Sequence, residues 1–190
     1  MAFMQEAVRA EALLLAEPPI DYQLPANVIV SSGADQYDYH AIRKTCFNLG
    51  FPLEELEALY IIPKQGIADI EAYTDVSKQT IYYADTLQPD ELPAILGHEI
   101  GHVVDSQLLT SASREEYCRQ RGITACDSWY SSTYHLYTEQ DTYTDWQASP
   151  AEDFAEEFVR QYLDASYANH TQYGNAANLG AFWEQIYSIR

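Results

Sequence analysis

Apolar positions recur along this chain at spacings that switch between helix-like and strand-like. Residues 3–16 carry a helical pattern that the Pro18-Pro19 pair ends. NVIVS, residues 27–31, reads as a brief strand. Over residues 35–49, Ile42, Cys46 and Leu49 fall on one helical stripe; Gly50 marks its stop, and Pro52 opens a short helix through Leu59. Tyr60-Ile61-Ile62 reads as a second strand. Residues 67–84 read as a hairpin: IADIEAYTD, a turn near Val76-Ser77-Lys78, then QTIYYA, whose β-branched and aromatic residues favour strands.

The best-patterned helix follows. Asp90 stands as its N-cap, Glu91 lies in its first turn, and Pro93 falls early enough to be tolerated. Leu92, Leu96, Ile100, Val103 and Val104 form its apolar stripe, through residue 109. Residues 110–148 read as an aromatic loop, dense in Trp129, Tyr130, Tyr134, Tyr137, Tyr143 and Trp146. Helical spacing returns from Pro150 to about Leu163, with Phe154, Phe158 and Val159 on the buried side, and again over 176–188. A small sheet before the central helix and a mostly helical half after it make an α+β layout. The length suits one domain over 1–190, with 1–60 as an N-terminal helical segment and 61–190 as the core.

Charge narrows the partners. Ten Lys and Arg stand against 29 Asp and Glu, a formal net charge of -19. Recognition of a phosphate backbone needs a basic face, so nucleic acid is excluded as a partner, and anionic lipid is disfavoured. At 47% hydrophobic the chain can bury a core, and no run reaches the length that spans a membrane. The first residues do not read as a signal peptide: Glu6 and Glu11 interrupt them, and the longest apolar run is Ala12 to Ala16. Either the protein stays inside, or a signal has been removed. Of three cysteines, Cys46 reads as a buried thiol. Cys118 and Cys126 are close enough to staple a small loop, and spacing alone does not decide whether they do.

Residues 98–102 read HEIGH. Two histidines four apart on a helix point the same way, so His98 and His102 can bind one zinc ion. Glu99 is offset around the helix and reaches a water activated by the metal rather than the metal. That division suits hydrolysis: zinc lowers the pKa of a water, and a carboxylate takes its proton as the oxygen attacks a carbonyl. A catalytic zinc needs a third ligand and one open position. His40, His135 and His170 have no supporting context, and Asp105 and Leu108 stand where an extended histidine motif would place its own residues. A carboxylate from the helix after Pro150 is therefore favoured: Glu152, Asp153, Glu156 or Glu157, with Glu152 and Glu156 on one face. Locally, Glu152 has a second use, because Ser149-Pro-Ala-Glu152 has the form of a capping box. Asp105, seven residues after His98, shares the metal-facing side and is placed to orient a ligand histidine.

HEIGHVVD, followed some fifty residues later by PAEDFAEEF, resembles the gluzincin-type zinc proteases of the anthrax lethal factor and Pro-Pro endopeptidase group. The likeness covers about residues 67–163 and is strong in the two motifs. It implies Glu152 as the third zinc ligand, Glu156 as a supporting acid, and a zincin-like fold in which TIYYA, residues 80–84, is the edge strand that guides substrate. It also implies a tyrosine donor to the oxyanion shortly before the third ligand. The family spacing falls on Asp145, so Tyr143 is the candidate, with Tyr137 behind it; loop 129–146 then lines the groove. The expected function is a zinc endopeptidase acting on protein or peptide substrates, with one catalytic Zn2+; the resemblance implies a secreted protein, with a cytoplasmic one left open. The alternative is a non-enzymatic toxin-like or interaction module that retains the fold and the zinc. A peptide deformylase also uses HExxH, but its Gln and Cys motifs are missing here.

Overall fold

The computed structural model describes residues 22–67, 70–129, 148–169, 171, 173 and 179–188. The N-terminal helix over 3–16 and most of loop 129–146 lie outside them, and so do Tyr143, Tyr137, Asp145, His135 and His170.

The first half is a four-stranded mixed sheet with helices on it. Strand β1 (Val28–Val30) leads into helix α1 (Gln36–Asn48), which Asp35 caps by accepting from the N–H groups of Tyr37 and Asp38. That bond satisfies two donors that a helix start otherwise leaves open. Ile42 and Cys46 are buried on the predicted stripe. The short helix after Pro52 is only a single 3-10 turn over Leu53–Glu55. Strand β2 (Leu59–Lys64) begins where that helix was expected to end, because Leu59 and Ile61 are both fully buried and alternate as a strand requires. Strands β3 (Ala72–Asp75) and β4 (Thr80–Ala84) form the expected hairpin, with Asp75 opposite Thr80.

The strand order is β1-β2-β4-β3, with only the β3–β4 pair antiparallel. This corrects the edge assignment. TIYYA is β4, an interior strand; the edge beside it is β3. The burial of Ile81, Tyr83 and Ala84 explains the difference, since β4 is rich in residues that need cover on both sides.

Helix α2 (Leu92–Leu108) crosses beneath the sheet and carries HEIGH. All five residues of its predicted stripe are buried. Its N-cap is Glu91 rather than Asp90, with no side-chain capping bond. Glu91 instead accepts from the Gln88 N–H, tying the entering turn to the helix.

The segment predicted as a loop begins with a helix, α3 (Ser111–Arg121). Its apolar period is weak because only Ser113, Tyr117 and Cys118 are buried. Its ends explain its existence. Thr110 and Ser113 form a reciprocal capping box, and Gly122 closes the C-terminus at φ 69, a conformation that favours glycine. A Cys118–Cys126 disulfide ties it to the following 3-10 turn, Cys126–Ser128, while Cys46 is a buried free thiol. Helices α4 (Pro150–Tyr162) and α5 (Gly180–Ser188) complete the described fold. Tyr117, Trp129, Phe154, Phe158, Phe182 and Trp183 form an aromatic core between α3, α4 and α5. Among the described residues no helix is long and apolar enough to cross a membrane.

Candidate metal centre

The centre sits where α2 crosses α4, and two glycines set how closely they approach. A Cβ on Gly101 would lie 2.9 Å from the Ala155 Cα, and one on Gly97 would meet Leu163 Cδ2 at 3.0 Å. Gly97 and Gly101 are one turn apart, so they clear one face of α2 for α4. The sequence Gly-His-Glu-Ile-Gly-His thus alternates the packing face with the histidine face.

Across this contact three donor atoms converge. His98 Nε2 and His102 Nε2 are 3.0 Å apart. Glu152 Oε2 is 2.9 Å from the first and 3.3 Å from the second. A tetrahedral zinc with ligands at about 2.0–2.1 Å has neighbouring ligand atoms about 3.3 Å apart. The triangle is therefore close to one face of such a polyhedron, and the donor set of two imidazoles and a carboxylate suits zinc. His98, His102 and Glu152 form the group of metal-binding type among the described residues. Ser149 is the N-cap of α4, yet its side chain makes no capping bond. Glu152 faces the histidines instead of closing a capping box.

The other acids divide by direction. Glu156, one turn after Glu152, accepts at 2.9 Å from His98 Nδ1 and is itself held by the Asn169 N–H and side-chain amide. That arrangement turns His98 Nε2 towards the centre. Asp153 points the opposite way. It is fully buried, gripped by the Arg121 guanidinium through bonds of 2.7 and 2.6 Å, and it also accepts from the hydroxyls of Tyr117 and Thr171. Glu157 joins the same side, 3.6 Å from the Arg121 guanidinium, and also accepts from Arg160 at 2.6 Å.

Asp105 does not take up the role expected for it. Its carboxylate is fully buried and accepts from Arg114 Nε at 2.8 Å and Trp129 Nε1 at 3.0 Å, and neither His98 nor His102 bonds to it. Seven residues is within about 20° of two turns, but it also carries Asp105 about 10.5 Å along the helix from His98, where Arg114 of α3 and Trp129 take its carboxylate instead. Trp129, from the proposed groove loop, is a core residue here, 4% exposed. His40 packs edge-on against Tyr22, away from the centre.

Burial alone would push both imidazoles down, but the carboxylates outweigh it. Glu152 and Glu156 hold His98 well above its ordinary value, and Glu152 holds His102 up. In return the two histidines keep Glu152 below the usual carboxylate range, against the pull of burial. Burial pulls Glu156 up, and His98 and Asn169 bring it down on balance. Glu99 is 7% exposed, and its Oε2 accepts from the Thr74 hydroxyl of β3 at 2.6 Å. Thr74 and the Arg121–Asp153 pair went unseen in the sequence. The only trace of Thr74 is its place in an alternating strand.

The model of peptidase family M48, a zinc metallopeptidase family, matches residues 50–142. The match includes HEIGH and ends before Glu152. It supports a zinc-dependent peptidase, a hydrolase acting on proteins or peptides. It does not support the narrower likeness to anthrax lethal factor, nor the expectations of a toxin-like and secreted protein. No curated protein and no solved structure matches the chain.

Proposed function

We propose that the protein is a zinc-dependent endopeptidase with His98, His102 and Glu152 as zinc ligands and Glu99 as general base. The observation that carries this reading is the convergence of three donor atoms, from His98, His102 and Glu152, beside a second, separately held carboxylate, that of Glu99. Bound zinc would supply Lewis acidity, lowering the pKa of a water and polarising a carbonyl. Glu99 takes a proton from the attacking water and passes it to the leaving amine. Glu156 fixes the His98 ring. An oxyanion donor is assigned to Tyr143, or failing it Tyr137, on the family pattern alone.

Substrate binding follows from the sheet. The Ala84 N–H donates to the Glu71 carbonyl, and Tyr73 and Asp75 continue that pairing opposite Tyr82 and Thr80. Backbone direction alternates along a strand, so Ala72 and Thr74 turn their N–H and C=O groups to the open edge. An extended peptide can pair there, directly above α2.

The test is incubation of the zinc-loaded protein with a diverse peptide library beside Glu99→Ala, with cleavage read by mass spectrometry. Cleavage by wild type alone supports the proposal. Cleavage by neither, at full zinc content, favours the interaction module. Equal cleavage by both refutes Glu99 as the base.

A further inference from the structure

Among the described residues of the open edge strand, Thr74 bonds to Glu99. The Thr74 hydroxyl lies 2.6 Å from Glu99 Oε2 and 3.2 Å from the Glu99 carbonyl. A hydroxyl has one proton to give, and an ionised carboxylate is the stronger acceptor. The shorter distance also falls in the range of charge-assisted O–H···O bonds, so the proton belongs on the Oε2 side. Glu99 Oε1 accepts from no described residue.

We infer that Thr74 is a positioning residue: it fixes the Glu99 carboxylate, with Oε2 tied to the edge strand and Oε1 turned to the reaction. This rests on the peptidase reading of the site. The same residue turns its backbone groups to the open edge. A peptide paired there would fix the Thr74 backbone and, through its short side chain, the base. Substrate docking and base orientation then share one residue. Among the described residues the Thr74 hydroxyl bonds to Glu99 and not to His98, His102 or Glu152, so its effect belongs on turnover and not on metal content.

The competing account is a β-branched residue chosen for its strand, its hydroxyl merely satisfied. Thr74→Val keeps the shape and strand preference but removes the donor; Thr74→Ser keeps the donor and loses the branch. With zinc content equal in all three proteins, Thr74→Val should lower kcat about tenfold to hundredfold, the worth of a bond to a charged group. KM should stay within about threefold, because a group that acts on the base and not on the bound peptide changes turnover. Thr74→Ser should recover most of the rate. A Thr74→Val rate within about twofold of wild type overturns the inference. So does a Thr74→Ser variant as slow as Thr74→Val.

A second readout does not depend on cleavage. In a double-mutant cycle of Thr74→Val with Glu99→Ala, urea unfolding of the zinc-loaded protein should show the two changes non-additive, by at least about threefold in the unfolding constant. Additivity overturns the pairing. A wild type that cleaves nothing ends the peptidase reading and this role with it, while the cycle still reports whether the pair exists.

Discussion

Gly101 offers the sharpest way to separate packing from metal chemistry. Its added Cβ would stand 2.9 Å from the Ala155 Cα and 3.3 Å from the Ala155 carbonyl oxygen. Relaxed carbon contacts lie at about 3.5–4.0 Å, so Gly101→Ala must part the helices by about 0.6–1.1 Å at that point. Backbone cannot rotate aside as a side-chain tip can. Overpacking of this kind costs about 1–3 kcal/mol, and replacing glycine by alanine within a helix returns about 1 kcal/mol. The metal-free protein should therefore lose only about 0–2 kcal/mol. The centre is less tolerant. Glu152 lies one turn before Ala155 on the same helix, and a zinc ligand holds its distance to about 0.2 Å. A displacement several times larger should weaken zinc binding about 10–100-fold.

Gly97→Ala is the control. It gains the same helix propensity, but its Cβ meets Leu163 Cδ2 at 3.0 Å and Val159 Cγ2 at 3.2 Å, both side-chain methyls. Leu163 can change rotamer, so zinc affinity should stay near wild type. Competition against a chelator measures the affinity, and urea unfolding of the metal-free proteins measures the stability. Gly101→Ala binding zinc as tightly as wild type, or both variants weakening alike, would refute the argument that helix approach sets the ligand triangle.

Four further outcomes follow from the structure. Glu152→Ala should abolish stoichiometric zinc in native mass spectrometry, while Glu156→Ala should retain zinc more weakly, because His98 keeps its Nε2 and loses the partner on Nδ1. Arg121→Met leaves Asp153 buried and without its counter-charge, so urea unfolding should show a loss of about 3–5 kcal/mol. Reducing the Cys118–Cys126 bond, which closes a short loop, should cost about 2.5 kcal/mol in denaturant stability. Asp38 is held above its ordinary pKa by burial, with Asp35 and Asp85 adding to it and Tyr83 opposing. Its folded pKa thus lies above the unfolded one, so its charge costs stability above the folded value and costs nothing below the unfolded value. Asp38→Asn should stabilise the protein at neutral pH, and the gain should vanish as pH falls to about 3.8, in paired denaturation curves.

The sequence was legible where one periodic signal decided the outcome. The stripes of α1, α2 and α4 are regular enough that Ile42, Leu96, Ile100, Phe154 and Phe158 are all buried as their spacing requires. His98 and His102 were legible for the same reason, since a four-residue spacing on a helix is itself geometry. Failures came where the deciding partner is distant or the period is weak. Helix α3 buries little, and its evidence is in its caps, Thr110, Ser113 and Gly122. Which hairpin strand is the edge depends on β2, which pairs with β4 from outside the hairpin. Asp105 could be placed on a helix but not given a partner, because Arg114 and Trp129 come from segments read as loop.

Glu152 shows most clearly why a local window left the choice of carboxylate open. A capping bond to Ser149 would contribute about 1 kcal/mol and needs only four consecutive residues. Facing His98 needs residues 54 positions away, and it needs α4 at one distance and one rotation. Gly101 sets the distance. The rotation is set by the next residue, Asp153, which Arg121 holds in a two-pronged grip on the opposite side. Arg121 belongs to α3, and two turns earlier, about 10.5 Å along the same helix, Arg114 grips Asp105 on α2. One helix outside the candidate metal centre therefore holds both helices that carry its donor atoms. Each grip joins a buried carboxylate to a guanidinium, and losing either would leave a charge that the interior cannot solvate. The triangle of donor atoms is thus specified by residues that never face it, and Arg114 and Arg121 belong to its construction as much as Glu152 does.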